Sequence, residues 1–422
     1  MSPLVESTVG KAKYHLRPDA VPKVKHHAKR TEKLFARLRE AYTSGNRRKA
    51  RQITNLIMRS KSAILTCMVR SLKANDPQTL PEIWEMTADL SAYKPCKEPV
   101  RLRVKPKASG KGFRPITSHG LRRRTLQTMA ADILHAKFGD EASDYLVKNK
   151  GAEQACLRIK ELIEEGFVYW VLADIENFYR SIQKKGARQA LDLPNALVSN
   201  CIWLGPKVPL IIRRPKPVGE STEGSPYNNR PYNHLDETIL QELSQGSRAS
   251  PRTASALLGP ILRGLAPPEQ VVFHGDDIAL GARSLEEATA LKKALRASLE
   301  AHPAGSFRLK KLVIRHVSEG LDFCGYRITR KPAIYGDPIH FCPSAQSYMR
   351  YKDKVAAIVA ETEPENIKSA VKAYSKNWIK SFRLWHPHWL SRKYLICTAY
   401  NVIVAELWKK KQKQVHNPGN HA

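Results

Sequence analysis

The sequence predicts an α+β protein, with short strands in the middle of the chain and helical segments at both ends. Apolar residues recur at helical spacing over 31–73 and again after about 336. Between them, short apolar runs such as 167–173 and 271–273 are bounded by turn residues, as strands are. A further single strand is predicted over 321–328. With 42% hydrophobic residues, the 422-residue chain can bury a sizeable core, which excludes wholesale disorder.

The N-terminal segment carries a large share of the positive charge of a basic chain. The chain holds 71 Lys and Arg against 39 Asp and Glu, a net charge of +32, and residues 1–75 hold 18 against 4, which leaves +14. Such an excess favours a polyanionic partner, nucleic acid above all. The alternatives are a face that serves only solubility and an anionic membrane surface. We interpret this segment as a basic helical arm whose two main helices meet at Gly45-Asn46.

Several protein classes are disfavoured by what the sequence lacks. No apolar run approaches the roughly 18 residues of a membrane span. The seven cysteines are scattered and form no C-x-x-C pair, which argues against a structural zinc site and a disulfide framework. The first 14 residues hold no apolar stretch typical of a secretory signal. We therefore expect a cytoplasmic protein.

Three carboxylates lie at the ends of predicted strands. Asp276 and Asp277 follow the apolar run 271–273, at the tip of a predicted hairpin, and Asp174 follows the run 167–173. Unpaired carboxylates among apolar strands are costly, so a shared cation best explains their combination. Oxygen ligands suit Mg²⁺, and a pair of such ions is typical of phosphoryl-transfer sites. An Asp-Asp pair taken alone is more often a turn or a cap.

Five short motifs follow one another between residues 100 and 330. They are K-P-K with R-P-I at 105–107 and 114–116, V-L-A-D-I-E-N-F-Y-R-S-I at 171–182, Q-G-S-R-A-S-P at 245–251, F-H-G-D-D at 273–277 and G-L-D-F-C-G-Y at 320–326. In order and spacing they resemble the motifs of bacterial reverse transcriptases of the group II intron/retron-like class.

The resemblance implies a right-hand polymerase fold with fingers, a palm built on an antiparallel sheet, and a helical thumb. The implied domains are the basic arm at 1–75, the fingers and palm at 76–335, and the thumb with a basic tail at 336–422. The N-terminal arm resembles the corresponding segment of intron-type enzymes more loosely, and the thumb agrees by position only.

The resemblance also implies a role for each matching residue. Asp174 and Asp276 would bind two Mg²⁺ ions, with the carbonyl oxygen of Ile175 as a further ligand and Asp277 as a supporting carboxylate. Lys311 would be the general acid for the leaving pyrophosphate. The residues at nucleotide-binding positions are Lys107, Arg114, Tyr179, Gln245 and Gly246. The residues at primer-grip positions are His274, Phe323 and Gly325.

Two of these positions bear on the substrate. The ring of Tyr179 would lie under the sugar and collide with a 2′-hydroxyl, which implies a preference for deoxynucleotides. His274 stands where the family has the tyrosine of Y-x-D-D, a residue that normally touches the primer terminus. DNA synthesis that starts from a protein primer, or in another unusual way, is therefore an alternative.

The implied activity is that of an RNA-directed DNA polymerase, a nucleotidyltransferase that extends a 3′-OH. Its expected partners are an RNA template such as a structured non-coding RNA, a DNA primer or product, and dNTPs, with no membrane. The alternatives are a non-catalytic, maturase-like RNA-binding protein and a template-independent or protein-primed DNA polymerase.

The sequence narrows the subclass only in part. No Cys/His cluster follows Tyr326, which favours relatives without a zinc-containing endonuclease: retron-type, diversity-generating and anti-phage defence enzymes. The intact Q-G-x-x-x-S-P motif argues against the diversity-generating group. Retron and defence types both stay open.

Overall fold

The computed structural model describes residues 5–9, 12–16, 20–72, 80–106, 113–146, 150–205, 208–213, 242–331, 338–385 and 388–416. The predicted nucleotide-binding residue Lys107 lies outside these ranges. These ranges contain both helices and strands, so the predicted α+β class is confirmed.

The strands and helices are numbered in chain order. The strands are β1 (Val5–Val9), β2 (Ala12–Leu16), β3 (Val100–Pro106), β4 (Phe113–His119), β5 (Tyr169–Ile175), β6 (Leu210–Arg213), β7 (Val271–His274), β8 (Asp277–Ala282), β9 (Leu309–His316), β10 (Leu321–Phe323), β11 (Tyr326–Arg330) and β12 (Ile339–Pro343). The helices are α1 (Ala20–Thr43), α2 (Arg47–Arg59), α3 (Lys61–Val69), α4 (Leu80–Asp89), α5 (Leu121–Phe138), α6 (Ala152–Glu164), α7 (Phe178–Ser181), α8 (Lys184–Leu191), α9 (Asn195–Leu197), α10 (Ser250–Leu265), α11 (Leu285–Glu300), α12 (Ala345–Glu361), α13 (Pro364–Lys380) and α14 (His388–His416).

The chain divides into two compact units, each built from separate segments. The first unit comprises Met1–Val147, Ile175–Leu265 and Leu295–Leu309. The second comprises Lys148–Asp174, Ala266–Ala294 and Lys310–Ala422. The three domains expected from the sequence stay a prediction. Within the described ranges, no helix combines the length and the apolar character that crossing a membrane requires.

In the first unit, the basic arm has one more helix boundary than predicted. The turn at Gly45-Asn46 is confirmed, since Gly45 has a φ of +69° and the Asn46 side chain accepts from the Lys49 amide at 2.9 Å. A second cap follows at Ser60, whose side chain accepts from the Ala63 amide at 3.2 Å. It separates the amphipathic α2 from α3, which is buried on all sides. This separation lets α3 enter the core while α2 keeps a solvent-exposed basic face.

The first unit contains a three-stranded sheet with the order β4-β3-β6, in addition to the antiparallel pair of β1 and β2. Strands β3 and β4 are antiparallel, and β6 joins β3 in parallel. The end of β4 is fixed because the carboxylate of Glu98 caps α5, accepting from the Arg123 amide at 2.9 Å. Gly120 makes room for that cap, since a Cβ there would lie 2.2 Å from the Glu98 carboxylate.

In the second unit, a four-stranded sheet has the order β7-β8-β5-β9. Strand β5 lies in its middle and is almost wholly buried, as the apolar run 167–173 predicts. The hairpin of β7 and β8 is confirmed, with His274 opposite Asp277. The strand β5 therefore carries Asp174 to the same end of the sheet as the tip of that hairpin.

After β9, the second unit continues with a small sheet and three helices. The sheet has the order β10-β11-β12, and the single strand predicted over 321–328 is wrong because Cys324 and Gly325 turn the chain there. Helices α12, α13 and α14 surround an apolar core, whose central members are Tyr351, Val355, Val371 and Leu395. The helical C-terminal region that the sequence predicts is confirmed.

Candidate active site

A row of polar side chains crosses one end of the four-stranded sheet. In the antiparallel pairing of β5 with β8, Asp174 lies directly opposite Asp277. In the pairing of β7 with β8, His274 also lies directly opposite Asp277, on the neighbouring strand at its other edge. Residues directly opposite each other in such a ladder have Cβ atoms about 4.5–5.5 Å apart. Strand register alone therefore brings the predicted residues Asp174, Asp277 and His274 together.

A two-residue turn places Asp276 at the tip of the hairpin. Only Gly275 and Asp276 separate the paired residues His274 and Asp277. Gly275 has a φ of +69°, and glycine at the first central position is typical of the turns that fit a two-residue hairpin. The third predicted carboxylate thus lies beside the row, at a position that the short turn fixes.

The carboxylates in this row repel one another. Burial, together with the nearby charges of Asp276 and Asp174, raises the pKa of Asp277 to about 7. Lys311 and Lys310 act in the opposite direction, but they do not compensate for burial and repulsion. Without a further cation, the Asp277 carboxyl group therefore takes up a proton much closer to neutral pH than an ordinary carboxyl group does.

Two adjacent lysines on β9 face this negative charge in different ways. The Lys310 ammonium lies 3.1 Å from a carboxylate oxygen of Asp174. The Lys311 ammonium, which the sequence predicts as a general acid, donates to the backbone oxygen of Asp322 at 3.0 Å. Sequence reasoning missed Lys310, and its position next to Lys311 was the only signal for it.

Whether the row suits a metal ion can be judged from its donors. As the side chains lie, no three His, Cys, Asp or Glu residues among the described parts of the chain form a group that could hold a metal ion. The donor chemistry nevertheless fits Mg²⁺, since carboxylate oxygens are its usual protein ligands, and a cation would offset the burial and like-charge repulsion that raise the pKa of Asp277. In this structure the Lys310 ammonium group forms an ion pair with Asp174. The two-ion site stays a prediction, as does the carbonyl ligand at Ile175, the last residue of β5.

Two of the three predicted primer-grip residues, Phe323 and Gly325, lie at a second tight turn in the same unit. Phe323 is buried at the end of β10, and Cys324 and Gly325 connect it to β11 with φ values of +48° and +82°. Burial first, and then the nearby Asp277, raise the pKa of the Cys324 thiol. The carbonyl oxygen of Gly325 accepts from the Ser347 hydroxyl at 2.9 Å, which ties the turn to the first residues of α12. Sequence reasoning identified Phe323 and Gly325 but not the cysteine between them.

In the first unit, Gln245 and Gly246 dock against the strand that bears Arg114. The amide and the hydroxyl of Thr117 on β4 both donate to the Gln245 carbonyl at 2.8 Å. Gly246 has a φ of +108°, and a Cβ there would lie 2.2 Å from the Thr117 carbonyl oxygen. Arg114 is exposed three residues earlier on β4. Three of the predicted nucleotide-binding residues thus share one strand as their support.

A buried polar network completes this docking. The Thr117 hydroxyl lies 2.9 Å from Nε2 of His119, and the Ser244 hydroxyl contacts both residues. Burial, with the positive charges of Arg123 and Arg124, lowers the pKa of His119 to about 3. The imidazole is therefore neutral at physiological pH. No sequence motif indicated this network, because its members come from segments more than 120 residues apart.

Tyr179 lies on the short helix α7 of the first unit and is half-buried. Its ring packs 5.6 Å from that of Phe178, which is itself buried and 5.6 Å from the ring of Phe307. This chain of rings gives the predicted sugar-contacting tyrosine a rigid support.

Comparison with known proteins gives a weak likeness to solved structures. No protein-family model and no curated protein matches the chain. An apo telomerase from Candida tropicalis, truncated from its C-terminal domain, is 11% identical over 56% of this chain and 54% of that chain, with a TM-score of 0.36. A telomerase from Candida albicans in complex with a TWJ fragment of telomeric RNA is 12% identical over 73% of this chain and 60% of that chain, with a TM-score of 0.34. The chain thus spans little more than half the length of either telomerase.

Proposed function

We propose that the protein is an RNA-directed DNA polymerase of the bacterial reverse-transcriptase type, which adds deoxynucleotides to a 3′-OH. The observation that carries the proposal is the carboxylate row, in which Asp174 faces Asp277 across two strands and Asp276 occupies the adjoining turn. Negative charge concentrated at one sheet end of a chain with a net charge of +32 is an arrangement suited to divalent cations and phosphates.

The residues of the carboxylate row and their neighbours would act on the reacting groups. Asp174 and Asp276 would hold two Mg²⁺ ions, supported by Asp277 and the Ile175 carbonyl, and the bound ions would polarise the phosphates and lower the pKa of the attacking hydroxyl. Lys311 would protonate the leaving pyrophosphate. His274, Phe323 and Gly325 would hold the end of the primer.

The residues of the first unit would position the incoming nucleotide. Arg114 would bind its triphosphate, because a guanidinium group forms bidentate bonds with phosphate, and Lys107 would assist. Tyr179 would exclude a 2′-hydroxyl, and Gln245 and Gly246 would line the side of the base pair. Arg114, Gln245 and Gly246 share β4 as their support, which favours precise positioning of the substrate.

The biological setting follows from the same proposal. The basic arm would bind a structured non-coding RNA that serves as the template, with DNA as the product. Copying such an RNA in the cytoplasm, in a retron or in anti-phage defence, is the role that we assign to the protein.

A primer-extension assay tests the activity. The full chain is incubated with an RNA template, an annealed DNA primer, dNTPs and Mg²⁺. The double variant Asp276→Ala/Asp277→Ala should lose at least about 10³-fold in incorporation, while its affinity for RNA stays within about threefold because the basic surface is intact. A matched control, Asp353→Ala/Glu361→Ala, removes two exposed carboxylates of α12 and should retain full activity. Full incorporation by the Asp276/Asp277 variant would overturn the proposal.

The same assay separates the alternatives. RNA binding that weakens steeply with salt, without incorporation by the unaltered protein, would indicate a maturase-like role. DNA synthesis without added RNA, yielding homopolymer or random sequence, would indicate a template-independent polymerase. A cDNA complementary to the supplied RNA is the outcome that we expect.

A further inference from the structure

The C-terminal helix α14 has two apolar faces, of which only one is covered. Leu395 and Ala399 point into the core formed with α12 and α13, with Val402 and Ile403 partly buried beside them. The other face is open to solvent. Its members are Tyr394, Ile396, Cys397, Tyr400, Asn401, Val404, Ala405, Leu407 and Trp408.

The open face of α14, as defined by these residues, is large and strongly apolar. Ile396 is 68% exposed, Tyr400 66% and Trp408 63%. From Ile396 to Trp408 the face extends about 18 Å, at a rise of 1.5 Å per residue. For side chains of this size, the exposed fractions correspond to roughly 800 Å² of surface. An exposed apolar patch of this extent is typical of an interaction site.

The charge pattern argues against nucleic acid as the occupant. Lys393 and Lys409 mark the two ends of the open face, and every exposed residue between them is uncharged. In a chain with 71 Lys and Arg, four turns of exposed helix without a cation form a poor surface for phosphates. The occupant should therefore be apolar.

We propose that the open face of α14 binds the same face of a second copy of the chain, so that the protein forms a two-fold symmetric dimer. With the helices antiparallel and centred between Tyr400 and Val404, Ile396 of each copy would lie near Trp408 of the other, and Tyr400 near Val404. Bulky residues would then meet smaller ones, as ridges meet grooves in helix packing. The exposed area of roughly 800 Å² equals what one partner of a standard interface buries. This inference does not depend on the proposed polymerase activity.

Association in solution tests the dimer. The full chain, freed of nucleic acid, is examined by light scattering coupled to size exclusion over a range of concentrations and at low and high salt. We expect a mass of twice 47.6 kDa. Dimerisation should strengthen with salt, because salt screens the repulsion between two strongly basic copies while leaving the apolar contact intact. A monomer at every concentration and salt would overturn the inference.

A substitution at the centre of the open face tests whether this face forms the dimer interface. Tyr400→Glu should raise the dissociation constant at least about 30-fold, the effect of losing a central interface anchor. Tyr400 is largely exposed and glutamate favours helices, so the variant should fold, which circular dichroism and thermal unfolding can verify. The matched control Leu285→Glu alters a residue that is 50% exposed on α11 and should leave dimerisation unchanged. A dimer unaffected by Tyr400→Glu would overturn the proposed face.

Cross-linking provides a second readout. Cys397 is an exposed cysteine on this face, whereas the other six cysteines are buried or half-buried. A flexible bis-maleimide should therefore join two copies of the unaltered chain, and Cys397→Ser should abolish the product. Cross-linking that requires added RNA and decreases with salt would show a nucleic acid at this surface instead, and would overturn the dimer.

Discussion

The hydrogen-bonded network around Thr117 and the carboxylate row around Asp277 differ in whether their members attract or repel one another. In the first unit, Thr117, His119 and Ser244 form hydrogen bonds within a buried network, and the imidazole stays neutral. In the second unit, Asp174 and Asp277 face each other with like charge, and the pKa of Asp277 rises to about 7.

The difference indicates what each cluster is for. A network whose members form hydrogen bonds with one another stabilises the fold and fixes the segments that it joins. A cluster whose charges repel one another destabilises the fold, and such clusters are typical of functional sites because a ligand or cation relieves the repulsion. We therefore expect substitutions in the two clusters to have opposite effects on stability.

The largest expected effect is the loss of activity in Asp277→Asn. Removing the charge of a supporting carboxylate should lower deoxynucleotide incorporation at least about 100-fold, which corresponds to about 2.7 kcal/mol. The same change removes a like-charge repulsion, so the metal-free protein should gain up to about 1 kcal/mol in free energy of unfolding. Primer extension and urea unfolding in a chelating buffer measure the two effects. A variant that is both less active and less stable would contradict the functional assignment of this cluster.

Gly246→Ala should cause the largest loss of stability in the first unit. The new methyl group would meet the Thr117 carbonyl oxygen at a residue whose φ is +108°, so the docked segment must shift, at a cost of about 3 kcal/mol. Gly45→Ala is the matched control, since Gly45 also has a positive φ but nothing lies within 4 Å of its Cβ position. It should cost only about 1 kcal/mol. Equal losses in urea unfolding for the two variants would refute the close contact at Gly246.

Thr117→Val tests the network itself. The substitution keeps the shape of the side chain but removes the hydroxyl, and it leaves His119 and Ser244 each without one buried partner. We expect a loss of about 2 kcal/mol in free energy of unfolding. Thr289→Val, at an exposed site on α11 where the hydroxyl bonds only to its own helix, should change stability by less than about 0.5 kcal/mol.

The smallest expected effect concerns pH. Because the folded-state pKa of His119 is about 3 and its ordinary value is 6.5, the unfolded chain binds the proton first as pH falls. The contribution of the neutral imidazole is thus complete above pH 6.5 and decreases progressively towards pH 3. Between pH 7.5 and about pH 5.8 the unaltered protein should lose about 1 kcal/mol more than His119→Gln does, as measured by urea unfolding at both pH values. Parallel pH profiles for the two proteins would show that His119 does not stay neutral in the folded state.

Local patterns made the second-unit cluster predictable from sequence. Asp174, Asp276 and Asp277 each follow an apolar run, and a two-residue turn leaves one register for the hairpin. Lys310 was missed because two adjacent lysines look alike in a sequence, and only the fold shows which of them reaches Asp174.

The first-unit network could not be predicted in the same way. Thr117 meets Ser244 across 127 positions of the chain, and no local periodicity reports such a contact. The boundary at Ser60 was missed because apolar residues continue at helical spacing through it, so the cap was the only signal. The break at Cys324 was missed because a non-glycine residue there adopts a left-handed conformation that β propensity does not indicate.

The two-residue turn at Gly275 and Asp276 has a consequence for how the gene can vary. Side chains alternate between the faces of a strand, so one inserted or deleted codon in this turn would move Asp277 to the opposite face of the sheet and bring Ile278 or Asp276 into its place. A substitution removes one member of the row, whereas a change in length displaces the whole of β8 against its neighbours. The number of residues in this turn is therefore constrained more tightly than their identity.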